Sequence, residues 1–354
     1  MTGATGISLV GEDIEVPCVD GVARRYLSLD AAASTAALPA VAARVEAFLP
    51  WYSSVHRGAG WKSQQATTEY EEARAAMIAF AGRTGTDDVA IICRNTTEAI
   101  NHLAYRLGLG SDDVVVTTVV EHHANLLPWA RLATRRYVEC GAVDLVDLDE
   151  VVWTDPPERE EAGSPNVLGA VALHAAIDEL GRIGWDAVRS HDDAMAAQLR
   201  EGLRGIEGVR LLGTGAAPGG LPVASFEVEG VPHALVAARL SAEHAIGVRH
   251  GCFCAHPYLL RLLGLTPAEV EDYRHAVLRG DRRRIPGAVR ASASLSTTQA
   301  DIDRFVDAVR GIAAGDEPPV PYDQDEHTGD YWPHTDEAGW SEASRRIGAS
   351  CARG

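Results

Sequence analysis

Lysine is nearly missing from this chain: of 32 basic residues, 31 are arginines and Lys62 is the one lysine. Chemistry that needs a side-chain amine, Schiff-base formation above all, therefore has a single candidate. Aromatic residues make up only 6% of the sequence, and the apolar runs are far too short for a membrane span. The N-terminus lacks a basic segment followed by an apolar one, so the expected location is cytoplasmic, with no membrane partner. Net positive charge is absent as well. The formal charge of -18 excludes nucleic acid and anionic lipid as partners, because both would repel the protein.

Disulfide and zinc frameworks are missing too. The six cysteines (Cys18, Cys93, Cys140, Cys252, Cys254 and Cys351) are widely scattered, which predicts reduced thiols in a reducing compartment. Pairs with the two-residue gap of a zinc site do not occur; Cys252 and Cys254 are one residue apart.

What is there is a patterned α/β sequence. Apolar residues at helical spacing mark 38–48 (LPAVAARVEAF) and 67–80 (TTEYEEARAAMIAF). Segment 89–93 (VAIIC) reads as a buried strand running into Thr96-Thr97-Glu98, a helix start, and 113–117 (DVVVT) as a second strand before Glu121-His122-His123. Strand, polar turn and helix, repeated, predict an α/β layer with a mostly parallel sheet. After Tyr137 the alternation stops. From Asn166 onward the pattern is helical, then short strands at 209–212 and 222–228, a helix from 232 to 240, a strand at 247–250 and a last helix capped by Thr298 and Asp301. This fits a second, α+β domain. The expected divisions are an N-terminal segment at 1–37, a large domain at 38–150, a small domain at 151–314 and an acidic, proline-rich, solvated tail at 315–354.

Several residues stand out singly. Thr96 and Thr97 at a helix start serve either as caps or as a phosphate cradle. His122 is either a locally bonded strand-end histidine or a flat ring for a cofactor. Arg290, in an otherwise apolar strand, needs an anion, and a substrate carboxylate is the natural partner. His250, Cys252, Cys254 and His256 lie within seven residues and admit a thiol or metal reading as well.

In order, the stretches YLSLDAAAS, SSVHRGAGWKSQQATTEYEEAR, RNTTEAINHLAYRLG, VVEHHANLLPWARLA, PPEREEAGSPNVLGAVAL, VRHGCFCAHP and VRASASLSTTQADIDRFVDAV resemble the class V aminotransferase family, nearest its cysteine desulfurase-like branch. The resemblance covers roughly 26–312. It implies a fold type I, pyridoxal 5'-phosphate (PLP)-dependent transferase-like protein, a homodimer acting on a small amino acid. It places Thr96 and Thr97 on the cofactor phosphate, His122 on the pyridine ring and Ser164 on the phosphate bound by the neighbouring subunit. Arg290, with His56 and Arg57, falls to the substrate, and Cys254 is the sulfur-accepting nucleophile, with Cys252 an extra thiol whose neighbours His250, His256 and Arg249 would lower a thiol pKa. Against the family, 265–284 (LTPAEVEDYRHAVLRGDRRR) looks like an inserted helix and basic loop over the mouth of the site.

The family pattern also has a gap. The strand–helix units after the EHH helix, which carry an aspartate for the pyridine nitrogen and the Ser-x-His-Lys stretch of the Schiff-base lysine, have no counterpart, and the join falls near Cys140-Gly141. About thirty residues per unit make the missing part on the order of a hundred residues. Lys62 sits in Gly60-Trp61-Lys62-Ser63, which is not the Schiff-base motif. Three readings follow: a PLP enzyme impaired for want of its lysine, a non-catalytic deletion variant that keeps dimer or partner binding, and a thiol or metal module.

Overall fold

A computed structural model describes residues 6–56, 58–83, 87–110, 112–132, 143–146, 151–153, 155–161, 163–213 and 220–335. The chain forms two compact units. One joins Met1–Ala36 to Asp186–Gly354, and the other is Ala37–Trp185. The inserted unit runs to Trp185.

The N-terminal segment holds three short strands, β1 (Glu15–Pro17), β2 (Ala23–Arg25) and β3 (Leu27–Ser28), of which β1 and β2 form an antiparallel hairpin. Asp20 shapes its turn, accepting from the Val22 N–H at 3.1 Å and from Arg24 Nη1 at 2.8 Å.

The inserted unit is helical. Helices α1 (Pro39–Phe48) and α2 (Trp61–Phe80) are followed by α3 (Thr96–Arg106), α4 (Leu127–Leu132), a hairpin of β4 (Val143–Val146) and β5 (Val151–Trp153), and α5 (Val167–Ile183). Its core joins Phe48, Ala66, Tyr70 and Ala73 to Val167, Ala170 and Val171, so α5 packs with α1 and α2 rather than opening the small domain. Small residues on α2 and α5 let the backbones approach, and Tyr70 fills the remaining space. The two expected strands differ from the reading. Segments 89–93 and 113–117 carry no regular secondary structure and join no ladder among the described residues. A strand without neighbours leaves its amides to water or to side chains. Val114 and Val116 stand 84% and 89% exposed, and the Ile92 N–H donates to Glu161 Oε1 at 2.8 Å.

The rest of the first unit runs α6 (Trp185–Arg204), β6 (Val209–Leu211), β7 (Val223–Val228), α7 (His233–His244), β8 (Ile246–Gly247), β9 (Arg249–Gly251), α8 (His256–Leu263), α9 (Pro267–Leu278), β10 (Ala288–Ser292), α10 (Gln299–Ala313), β11 (Tyr322–Gln324) and β12 (Tyr331–Pro333). The central sheet is antiparallel in the order β6-β7-β10-β9. Alternate residues of β7 and β10 face Leu199, Leu203, Leu240, Ile302 and Phe305, with the Phe226 and Phe305 rings edge-on at 6.0 Å. Full burial of each such side chain contributes about 1.5–3 kcal/mol. Strand β3 pairs in parallel with β8, and Asp30 bridges to Ser292, so the N-terminal segment completes this core.

Helix starts follow their caps. Thr298 and Asp301 form the capping box expected of α10, and Thr266 with Glu269 caps α9 within the 265–284 stretch. The tail departs from expectation up to residue 335. Strands β11 and β12 make a hairpin held by Arg282, whose N–H donates to the Glu326 carbonyl at 2.8 Å, and by Tyr322, whose hydroxyl donates to Glu243 at 3.0 Å. Among the described residues no helix is long and apolar enough to cross a membrane.

Candidate functional site

The singled-out residues fall on both units, and each group has its own geometry. In the first unit, β10 carries Arg290 and β9 carries Arg249, paired directly across the ladder. Both side chains reach Asp30, Arg290 Nη2 at 3.0 Å from one carboxylate oxygen and Arg249 Nη2 at 3.1 Å from the other. The Arg290 guanidinium also lies over the Phe253 ring, 5.1 Å from its centre. Its Nε is buried without a hydrogen-bond partner. An arginine fork with one edge neutralised and one donor unspent is suited to a second, small anion.

Cys254 follows Phe253 and is exposed, while Cys252 is half-buried and both are free thiols. Two of the groups expected to lower a thiol pKa are engaged elsewhere: His250 Nε2 lies 3.3 Å from Asp330, and Arg249 holds Asp30. Burial instead pushes the Cys252 thiol above its ordinary value, against a Cys254 N–H directed at its sulfur. Among the described residues no group of three or more histidine, cysteine or acidic side chains is arranged to hold a metal ion.

In the second unit, a cleft of about 880 Å³ is lined by the segment before α3, by α3 itself and by the loop leading to α5. It brings together Thr97 and Ser164, along with Asn95, His102 and Glu161. Asn95 caps α3 through the Glu98 N–H at 2.9 Å, and Thr97, in the first turn, is exposed. Two carboxylates brace the floor. Glu160 meets Arg106 at 2.6 Å, Arg159 at 2.8 Å and His102 at 3.0 Å; burial opposes its charge, but these partners hold its pKa below the ordinary value. Glu161 accepts from Tyr70 at 2.7 Å and Arg74 at 2.8 Å.

Thr96 and His122 are not among the cleft's lining residues. His122 is exposed and accepts the Ala124 N–H at 3.0 Å, capping a short turn. His56 pairs with Glu71 at 2.7 Å and sets its ring edge-on to Tyr70, and Arg57 lies outside the described residues. Sequence reasoning missed Asp30, Glu160 and Glu161. All three lie inside the motifs quoted above, but nothing local marks which arginine each carboxylate will meet.

The family model for class-V aminotransferases matches residues 27–140 and 136–305. The chain belongs to this family. Its match comes in two pieces that meet at 136–140, beside the break in the strand–helix pattern. A probable cysteine desulfurase of Xylella fastidiosa is 35% identical over 164 residues, covering 46% of this chain and 34% of that protein. The chain thus spans about a third of that relative's length. A probable cysteine desulfurase of Halobacterium salinarum is 24% identical, covering 79% of this chain and 89% of that protein. That alignment runs over 395 positions, whereas 79% of 354 residues is about 280, so about 115 positions of the relative face no residue here. The apo cysteine desulfurase structure from Thermococcus onnurineus superposes with a TM-score of 0.68 at 24% identity, over 82% of this chain and 95% of the other. The fold is that of the type I PLP-dependent enzymes.

The class-V family is PLP-dependent. The cofactor fits this chain in part. Thr97, the first turn of α3 and Ser164 suit its phosphate. The ring end does not fit, because Lys62 is exposed on the first turn of α2 and no other lysine exists to carry a Schiff base.

Proposed function

We propose that this protein is a cysteine desulfurase-like member of the class-V family that retains the family's thiol and arginine elements but does not turn over an amino acid with PLP. The observation that carries this reading is the lone lysine. Lys62 is exposed, and lysines become nucleophiles when burial and neighbouring charge strip their proton at neutral pH. The two-piece family match and the unpaired positions of the Halobacterium relative support loss of the segment in which the family keeps its lysine. The ligand class remains a small amino acid, and Arg290, with one buried donor unspent, is the residue for its carboxylate.

The test is direct. Purified protein titrated with PLP should develop no visible internal-aldimine band, and borohydride reduction followed by peptide mapping should find no pyridoxyl adduct. A stoichiometric adduct on Lys62 would overturn the reading. Binding of cysteine without turnover, lost in Arg290→Gln and kept in Lys62→Gln, is the positive counterpart.

A further inference from the structure

The C-terminal hairpin of β11 and β12 lies beyond residue 305, the last that the family model matches. It is fastened along its whole course, always within the first unit. At its base the Tyr322 hydroxyl donates to Glu243 Oε1 at 3.0 Å, a carboxylate of α7 that is buried together with Arg239. Further along, Gln324 Nε2 donates to the Arg283 carbonyl at 2.9 Å. At the tip, the Glu326 carbonyl accepts from the Arg282 N–H at 2.8 Å and the His327 carbonyl from Arg282 Nη1 at 2.9 Å. On the return, Asp330 Oδ1 lies 3.3 Å from His250 Nε2 on β9.

The fit at the tip is close. Gly329 is buried with a φ of 80°, and a Cβ there would lie 2.5 Å from the Arg282 carbonyl oxygen. Glycine alone meets both conditions. The segment gripped in this way, 282–287, leads directly into β10. From another side His233 Nε2 donates to the Ile285 carbonyl at 3.0 Å, and Gly287 leaves no space for a side chain between His233 and Gly251.

The grip falls beside the arginine pair. Strand β9 is three residues long and stands at the edge of the central sheet, with β10 as its ladder partner. A short edge strand with one neighbour has little of its own to resist local opening. His250 pairs with Val289, in the register next to Arg249 and Arg290. The hairpin thus braces β9 beside Arg249 and the approach to β10 ahead of Arg290.

We propose that this hairpin is a strap whose closure holds 282–287 and β9 still, and so fixes Arg249 and Arg290 relative to one another. The carboxylate role of Arg290 rests on the reading given above; the strap itself does not.

Hydrogen–deuterium exchange on the full chain tests it. Two variants open the strap by different means. Gly329→Ala sets a methyl group against Arg282, and Tyr322→Phe removes the anchor while Glu243 keeps Arg239. Loss of a hydrogen bond to a buried carboxylate shifts a local opening equilibrium by about tenfold. Amides of 282–287 and 249–251 should exchange faster by that factor in Tyr322→Phe and at least as fast in Gly329→Ala, with α10 unchanged. If both segments exchange as in wild type in Tyr322→Phe, or if α10 accelerates equally, the hairpin is not a strap. Tyr322→Phe decides alone should Gly329→Ala not fold. Failure of wild type to bind cysteine would sink the carboxylate reading and leave the exchange result standing.

Discussion

Asp30 Oδ1 accepts a hydrogen bond from Arg290 Nη2 at 3.0 Å, across 260 residues of sequence. The N-terminal segment thus delivers the anion that holds the β10 arginine, and its backbone bridge to Ser292 fixes where that anion stands. Arg290 is only 16% exposed, so its charge relies on this carboxylate rather than on water.

Removing Asp30 should therefore be costly. Asp30→Ala is expected to destabilise the protein by about 1–3 kcal/mol, with Asp30→Asn losing less because the amide oxygen still accepts one bond. Urea unfolding of the two variants measures this. An alanine variant as stable as wild type would show that Asp30 is not the arginine's partner in solution.

His233, at the start of α7, should make stability depend on pH. Burial pushes its pKa below the ordinary 6.5, opposed by the bond from its Nε2 to the Ile285 carbonyl, with the His250 ring lowering it further and Asp330 raising it. The folded state then binds fewer protons than the unfolded chain, so stability is intact above 6.5 and falls as pH drops through the lower folded value. His233→Gln, which keeps a donor for Ile285, should flatten that part of the profile. Thermal melts of both proteins at a series of pH values give the comparison, and parallel profiles would contradict it.

The unpaired valines should drive association. Val114 and Val116 are exposed apolar side chains on a segment that pairs with no strand among the described residues, a surface that favours contact with another chain. Replacing both with aspartate should shift the protein to smaller species in light scattering without lowering its melting temperature. Unchanged particle size would remove these residues from the contact.

Much of this architecture is legible in the residues alone, wherever the signal is local. The Thr298 and Asp301 cap announces α10, the apolar segments at 222–228 and around Arg290 announce β7 and β10, and 265–284 reads as an inserted helix, which is α9. Segments 89–93 and 113–117 look like strands for equally good local reasons. A strand, however, is completed by its neighbours, and composition cannot supply a partner that the chain does not offer. The tail misleads in the opposite way. Its prolines and acidic residues suggest solvation, yet Arg282 and Tyr322 tie it into a hairpin through contacts tens of residues away. The site divides along the same line. Thr97, Ser164, Cys254 and Arg290 are marked by motifs, whereas the choice of Asp30 by both arginines depends on tertiary proximity.

The split of the first unit around Ala37–Trp185 bears on how such a chain folds at all. Strand β3 pairs with β8, and everything between them acts as a tether. The entropy of closing a tether grows only with the logarithm of its length, about 0.6 kcal/mol per doubling. Shortening the insert by a hundred residues or so therefore hardly alters the search that joins the two ends. The discontinuous unit is thermodynamically insulated from the length of what interrupts it, and can persist while the interruption is rewritten.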